Sequence, residues 1–128
     1  MMDSMDKLVD AAAKASARSY SPYSAFPVGA AVLTESGAIY TGTNIENASY
    51  GATMCAERVA IFNAISEGER AILALAVYTS AADYAYPCGM CLQVLSEFAG
   101  DIPVVIAGVA GRESYTLYDL LTHPFKKN

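Results

Sequence analysis

The sequence predicts an α/β protein, a three-layer α/β/α sandwich with a mixed β-sheet, and three observations carry that reading. Segments of helical periodicity recur along the chain, and short apolar runs of strand length lie between them. The first two extended runs are separated by a tight polar turn, which makes them a hairpin. A hairpin followed by alternating helix and strand places antiparallel and parallel neighbours in one sheet, with helices covering it.

The elements follow in order. Met5, Leu8, Val9, Ala12 and Ala15 recur at helical spacing across residues 5–20, with Ser4 or Asp3 available as the cap and Ser21-Pro22 as the stop. Residues 26–34 and 38–43 read as the hairpin strands, joined by Glu35-Ser36-Gly37. Residues 52–67 favour a helix with Val59, Phe62 and Ile65 facing inward and Gly68 ending it; Cys55 sits near its start. Residues 71–79, almost wholly apolar and rich in Leu and Val, fit a strand covered on both faces. Pro87 opens a further helix in which Leu92, Leu95 and Phe98 share a face before Gly100, with Cys88 and Cys91 in the first turn. Residues 102–109 read as another strand, and Thr116 with Asp119 forms a capping box for a short helix ending near Thr122.

A chain of 128 residues is the size of one domain, here residues 1–128, with a core that needs no disulfides. Its charged share is 16%, against an average of about 25%, while 54% is apolar, so self-association is expected. The net charge of −5 repels polyanions, and Lys126-Lys127 is a solvated tail rather than a basic patch, so nucleic acid is not an expected partner. Asp3, Asp6 and Asp10 interrupt the first residues, which therefore lack the pattern of a secretory signal. No apolar run approaches the ~18 residues of a membrane span, so a membrane is not an expected partner either. Three cysteines, an odd number without an export signal, point to a reducing, cytoplasmic setting and to metal or thiol chemistry.

Cys88-Gly89-Met90-Cys91 places two sulfurs on one helical turn, a pattern that serves zinc and dithiol redox chemistry equally. Cys55 favours the metal, because two helices on one face of a sheet bring their N-termini together, and free N–H groups there stabilise thiolates. Three thiolates leave a tetrahedral zinc one position short, as in a catalytic site. His123, the one histidine, precedes Pro124 near the chain end and reads as an exposed loop residue. Glu57, two residues beyond Cys55, is placed to exchange protons beside the metal without binding it. Arg58 either offsets the thiolate charge or makes a surface ion pair with Glu46 or Glu67.

Cys55-Ala56-Glu57 followed by Pro87-Cys88-Gly89-Met90-Cys91 closely resembles the signature of the homotetrameric zinc-dependent cytidine deaminases, and the likeness extends to residues 21–31, 44–50 and 93–98. The resemblance implies one Zn2+ per chain on Cys55, Cys88 and Cys91, and hydrolysis of cytidine or deoxycytidine by a zinc-bound hydroxide with Glu57 carrying the protons. It further implies a small pyrimidine nucleoside as the partner, pyrimidine salvage as the setting and a homotetramer as the assembly. Phe26 matches an aromatic that packs near the base, and Asn44 and Glu46 match the pair that bonds the ribose 3′-hydroxyl. The Ala56 N–H matches the donor to the pyrimidine 2-oxygen, and the Tyr86 carbonyl matches the acceptor for the 4-amino group. Ala48, Tyr50 and Phe125 match residues that approach a neighbouring subunit's site, and Arg58 matches an arginine that bonds the thiolates. The chain departs from the pattern at Leu92, where Arg is usual, and at Tyr86, where Ser is common. Alternative readings are the same chemistry on another amino-pyrimidine such as a blasticidin-type nucleoside, a non-catalytic zinc-stabilised scaffold, and a dithiol oxidoreductase using Cys88 and Cys91.

Overall fold

The computed structural model describes residues 2–127. Asp3 caps the first helix, α1 (Ser4–Ser16), by accepting from the Asp6 N–H at 2.8 Å, and Leu8, Ala12 and Ala15 form its buried stripe. Strands β1 (Val28–Thr34) and β2 (Ile39–Thr43) form the hairpin, and Gly37 takes the positive φ of 89° that the turn requires. A single 3₁₀ turn, Tyr50–Ala52, leads into α2 (Ala56–Ser66). Strand β3 (Ile72–Thr79), helix α3 (Gly89–Glu97), strand β4 (Pro103–Ala107), strand β5 (Arg112–Thr116) and the short helix α4 (Leu117–Leu120) complete the chain. Asp119 accepts the Thr116 N–H at 2.8 Å at the start of α4.

The sheet runs β2-β1-β3-β4-β5 and is mixed, with β3 and β4 parallel and the other neighbours antiparallel. Side-chain alternation along β1 divides the core into two layers. Ala31 faces α1, where it packs with Leu8, Ala12, Ala74 and Ala76. Val28, Ala30 and Val32 face the opposite side, where Ala60, Ile61 and Leu95 of α2 and α3 close the larger core. The three-layer expectation therefore holds. A register shift between Leu33 and Thr34 pairs them with Ala74 and Ile72 and leaves Leu73 over, 46% exposed. That bulge lets Ile72 share a face with Leu75 and Val77.

Two expectations need correction. The fully buried face of α2 consists of Ala56, Glu57, Ala60, Ile61 and Ala64; of the three residues expected to face inward, Ile65 packs against the core and Val59 lies against Gly42 of β2, both partly buried, whereas Phe62 is 45% exposed. Strand β5 was absent from the sequence reading because Arg112-Glu113-Ser114-Tyr115-Thr116 carries no apolar alternation; it is a polar edge strand held by β4. Among the described residues no helix is long and apolar enough to cross a membrane.

Backbone contact between α2 and the sheet fixes where the functional residues sit. A Cβ on Gly42 of β2 would lie 2.4 Å from the Ala60 nitrogen and 2.7 Å from the Ala56 carbonyl oxygen. Gly42→Ala is therefore expected to destabilise the protein by about 1–3 kcal/mol and to displace α2, which carries Glu57. Thermal unfolding checks it, and an unchanged midpoint would contradict the packing argument. At the other side of the sheet, Arg112 of β5 hydrogen-bonds Asp6 of α1 and holds that carboxyl below its usual pKa. A depressed folded-state pKa contributes stability above the unfolded value and loses it as pH falls through the folded one. Asp6→Asn should accordingly lower the unfolding midpoint slightly at pH 7 and converge with the wild type in acid; a difference that persists in acid would exclude the ion pair as its source.

Candidate active site

Cys55 and Cys88 occupy the same structural position, each the cap of a helix that begins at the next residue, with φ −74° and ψ 149° and 167°. Extended backbone at the cap followed by a helical turn turns both thiols towards the space between the two N-termini. Cys91, one turn into α3, donates its N–H to the Cys88 sulfur at 3.5 Å, and the two sulfurs are 3.4 Å apart. The sulfurs of Cys55, Cys88 and Cys91 all lie within 4.8 Å of one another. Cys91 is buried, Cys55 half-buried and Cys88 the most exposed of the three.

Hydrogen bonding from Cys91, together with the neighbouring Arg58, pulls the Cys55 thiol down to about 5. Cys91, which lends that hydrogen bond and is itself buried, is pushed far up. Three thiolates so close repel one another strongly, and a divalent cation is the group that lets all three ionise together. The all-sulfur donor set and this spacing fit zinc. His123 is exposed and lies outside the cluster.

Arg58 donates from Nη2 to the Cys55 sulfur at 3.5 Å. It forms no ion pair with Glu46 or Glu67 among the described residues, and its side-chain contact is with Cys55. Leu92 packs in the core at 6% exposure, leaving Arg58 as the cation in contact with the cluster. Glu57 is buried, with 5% of its surface accessible, and burial pushes its carboxyl up to about 7. Its oxygens are not part of the cluster.

A cleft of about 340 Å³ opens beside the sulfurs and is lined by Cys55, Ala56, Glu57, Cys88, Phe26 and Asn44. Tyr86 with Tyr84 and Ala85 forms the wall that leads into Cys88. Glu46 and Tyr50 line a second hollow of about 390 Å³, which shares Thr53 with the first. Ala48 and Phe125 stand outside both, and Phe125 is 69% exposed.

Asn44 and Glu46 also hold the loop ahead of β1. The Asn44 Oδ1 accepts from the Val28 N–H at 3.0 Å and from Ser19, and its Nδ2 donates to the Phe26 carbonyl at 2.8 Å. Glu46 accepts from the Tyr23 and Ser24 N–H groups at 2.9 and 3.1 Å and from the Ser24 hydroxyl. The cleft-lining residues that sequence reasoning missed are Val28, Thr53, Met54, Tyr84 and Ala85; the Tyr84-Ala85-Tyr86-Pro87 run ahead of Cys88 was the available signal for the last two. Residues 125–127 are exposed, as expected of Lys126 and Lys127, and yet anchored, since Gln93 brackets the Phe125 backbone at 2.9 and 3.0 Å and Lys126 donates to the Ser96 carbonyl at 3.2 Å.

The family model of the cytidine and deoxycytidylate deaminase zinc-binding region matches residues 2–109. The chain belongs to this family of zinc-dependent deaminases. It is 46% identical over 125 residues to the cytidine deaminase of Sporosarcina psychrophila, a match covering 96% of this chain and 92% of the relative. The crystal structure of cytidine deaminase from Burkholderia pseudomallei superposes with a TM-score of 0.89 at 38% identity, covering 97% of this chain and all of the other. That of the Mycobacterium tuberculosis cytidine deaminase gives 0.83 at 38% identity, covering 98% of this chain. Family membership gives the cysteine cluster its metal, one zinc, and the mixed sheet is this deaminase family's fold.

Proposed function

We propose that the chain hydrolyses the 4-amino group of cytidine and deoxycytidine, releasing ammonia and the corresponding uridine. The observation that carries this reading is the convergence of a three-cysteine metal cluster and a buried, readily protonated Glu57 on one cleft. Bound zinc supplies a water acidic enough to act as a nucleophile near neutral pH. Cys55, Cys88 and Cys91 hold the metal, and the Arg58 guanidinium offsets part of their charge.

Glu57 takes a proton from the attacking water and returns protons to N3 and to the departing amine. Its burial keeps the carboxyl within reach of both protonation states near neutrality. Phe26 offers the base an apolar wall. The Ala56 N–H, the first of α2 and without a partner inside the helix, bonds the 2-oxygen, and the Tyr86 carbonyl accepts from the 4-amino group. Asn44 and Glu46 bond the ribose 3′-hydroxyl while their remaining bonds keep the loop ahead of β1 in place.

Ala48, Tyr50 and Phe125 serve the site of a neighbouring subunit in a homotetramer. The apolar surface available for such an assembly includes Tyr50, 78% exposed, with Met90 at 63% and Phe125 at 69%. A cytoplasmic role in pyrimidine salvage, with residues 1–128 as one domain, fits this activity. Ultraviolet-monitored incubation of the purified, zinc-loaded protein with each nucleoside tests the reading. Loss of the cytidine absorbance with matching ammonia release is expected, and absence of turnover on both nucleosides would contradict it.

A further inference from the structure

The wall of the cleft that carries Tyr86 has no regular secondary structure between Ser80 and Cys88, so what holds it in place is a question of side chains. Two anchors are visible. The Tyr84 ring sits over Gly108, where a Cβ would meet it at 3.0 Å. The Tyr86 hydroxyl donates to Glu113 Oε1 of β5 at 2.6 Å, and the same oxygen accepts from the Tyr115 hydroxyl at 2.8 Å. The three tyrosine rings stack edge to face in sequence, with centroids 6.4 Å apart for Tyr84 and Tyr86 and 6.5 Å for Tyr86 and Tyr115. An aromatic ladder thus runs from the cleft to the edge of the sheet, and one carboxylate pins its outer end. Tyr86 is 52% exposed, so packing alone does not fix its ring.

We propose that Glu113, acting through the Tyr86 hydroxyl, sets the width of the cleft beside the reacting edge of the base and so determines which substituted pyrimidines are accepted. This rests on the proposed deamination. The group to be removed must lie towards the cysteines, and the wall that leads into Cys88 is then the one facing the amino group and the adjacent 5-position. Charge-assisted hydrogen bonds from two phenols hold that wall rigid, and a rigid wall excludes added bulk. Glu113 is a positioning residue, since it reaches the substrate only through Tyr86. Released from Glu113, the Tyr86 ring can swing into solvent and the wall yields.

The test compares kcat/KM for cytidine with that for 5-methylcytidine in the wild type, Tyr86→Phe, Glu113→Ala, the double variant and Glu113→Gln. One methyl group against a fixed wall is worth about tenfold or more in discrimination. Each single variant should lower the cytidine preference about three- to tenfold, mainly through KM for the methylated substrate. The double variant should go no further, because both changes cut the same bond. Glu113→Gln, whose amide oxygen still accepts from both phenols, should keep most of the wild-type preference. Should Glu113→Ala fail to fold, Tyr86→Phe, which removes only a half-exposed hydroxyl, carries the test. A preference within twofold of wild type in Tyr86→Phe, or a double variant equal to the product of the singles, would overturn the proposal. A wild type that leaves cytidine intact would instead contradict the proposed deamination.

Discussion

Glu57→Gln is expected to abolish turnover while leaving zinc in place. The amide has the shape of the carboxylate but neither accepts nor returns a proton, and the proposed mechanism calls on Glu57 for more than one transfer in each cycle. Loss of one general acid–base group costs about 10²–10⁴-fold, and a residue used repeatedly belongs at the upper end of that range. Metal content should not change, because the three sulfurs lie within 4.8 Å of one another without the help of Glu57. The fold should survive as well, since the amide has the size and shape of the buried carboxylate it replaces and leaves no cavity beside the cleft. Turnover and metal analysis on one sample check this. Activity within tenfold of the wild type would end the proton-carrier assignment.

Cys91→Ala should show the second largest effect, on metal and stability together. Cys91 is buried, and its sulfur is the part of α3 that meets Cys55 of α2. Zinc bound by Cys55, Cys88 and Cys91 would tie α2 to α3, so its binding energy would also be folding energy. With free zinc at about 1,000 times its dissociation constant, that linkage adds about 4 kcal/mol, which the variant forfeits. The unfolding midpoint should fall and should stop responding to added zinc. A stable variant that still carries stoichiometric zinc would remove Cys91 from the ligand set.

The Cys88–Cys91 half of the cysteine cluster was legible in the sequence because its geometry is local. The spacing of Cys88 and Cys91 is one helical turn, whereas Cys55, read near the start of a helix over residues 52–67, is the cap of a helix that begins only at Ala56. The hairpin, the buried strand β3 and the capping box at Thr116 were legible for the same reason. The inward face of α2 was legible only in part, because apolar residues lie on every side of that helix and the spacing of 59, 62 and 65 joins Ile65, which packs on the core, to Phe62, which does not. Ala56 and Ala60 lie where Gly42 brings the sheet backbone against the helix backbone. Strand β5 eluded the sequence because its partner, β4, supplies the order that its own polar residues do not. The pairing of Tyr86 with Glu113, 27 residues apart, and the scaffolding bonds of Asn44 and Glu46 are tertiary facts with no local signal.

Turnover measured against zinc occupancy tests the central claim most directly. Chelated protein would be reloaded in steps with zinc, and both bound metal and the rate of cytidine deamination followed at each step. The account predicts no activity without metal and a linear rise that ends at one zinc per chain. Full activity in the chelated protein, or stoichiometric zinc with no turnover of either nucleoside, would contradict it.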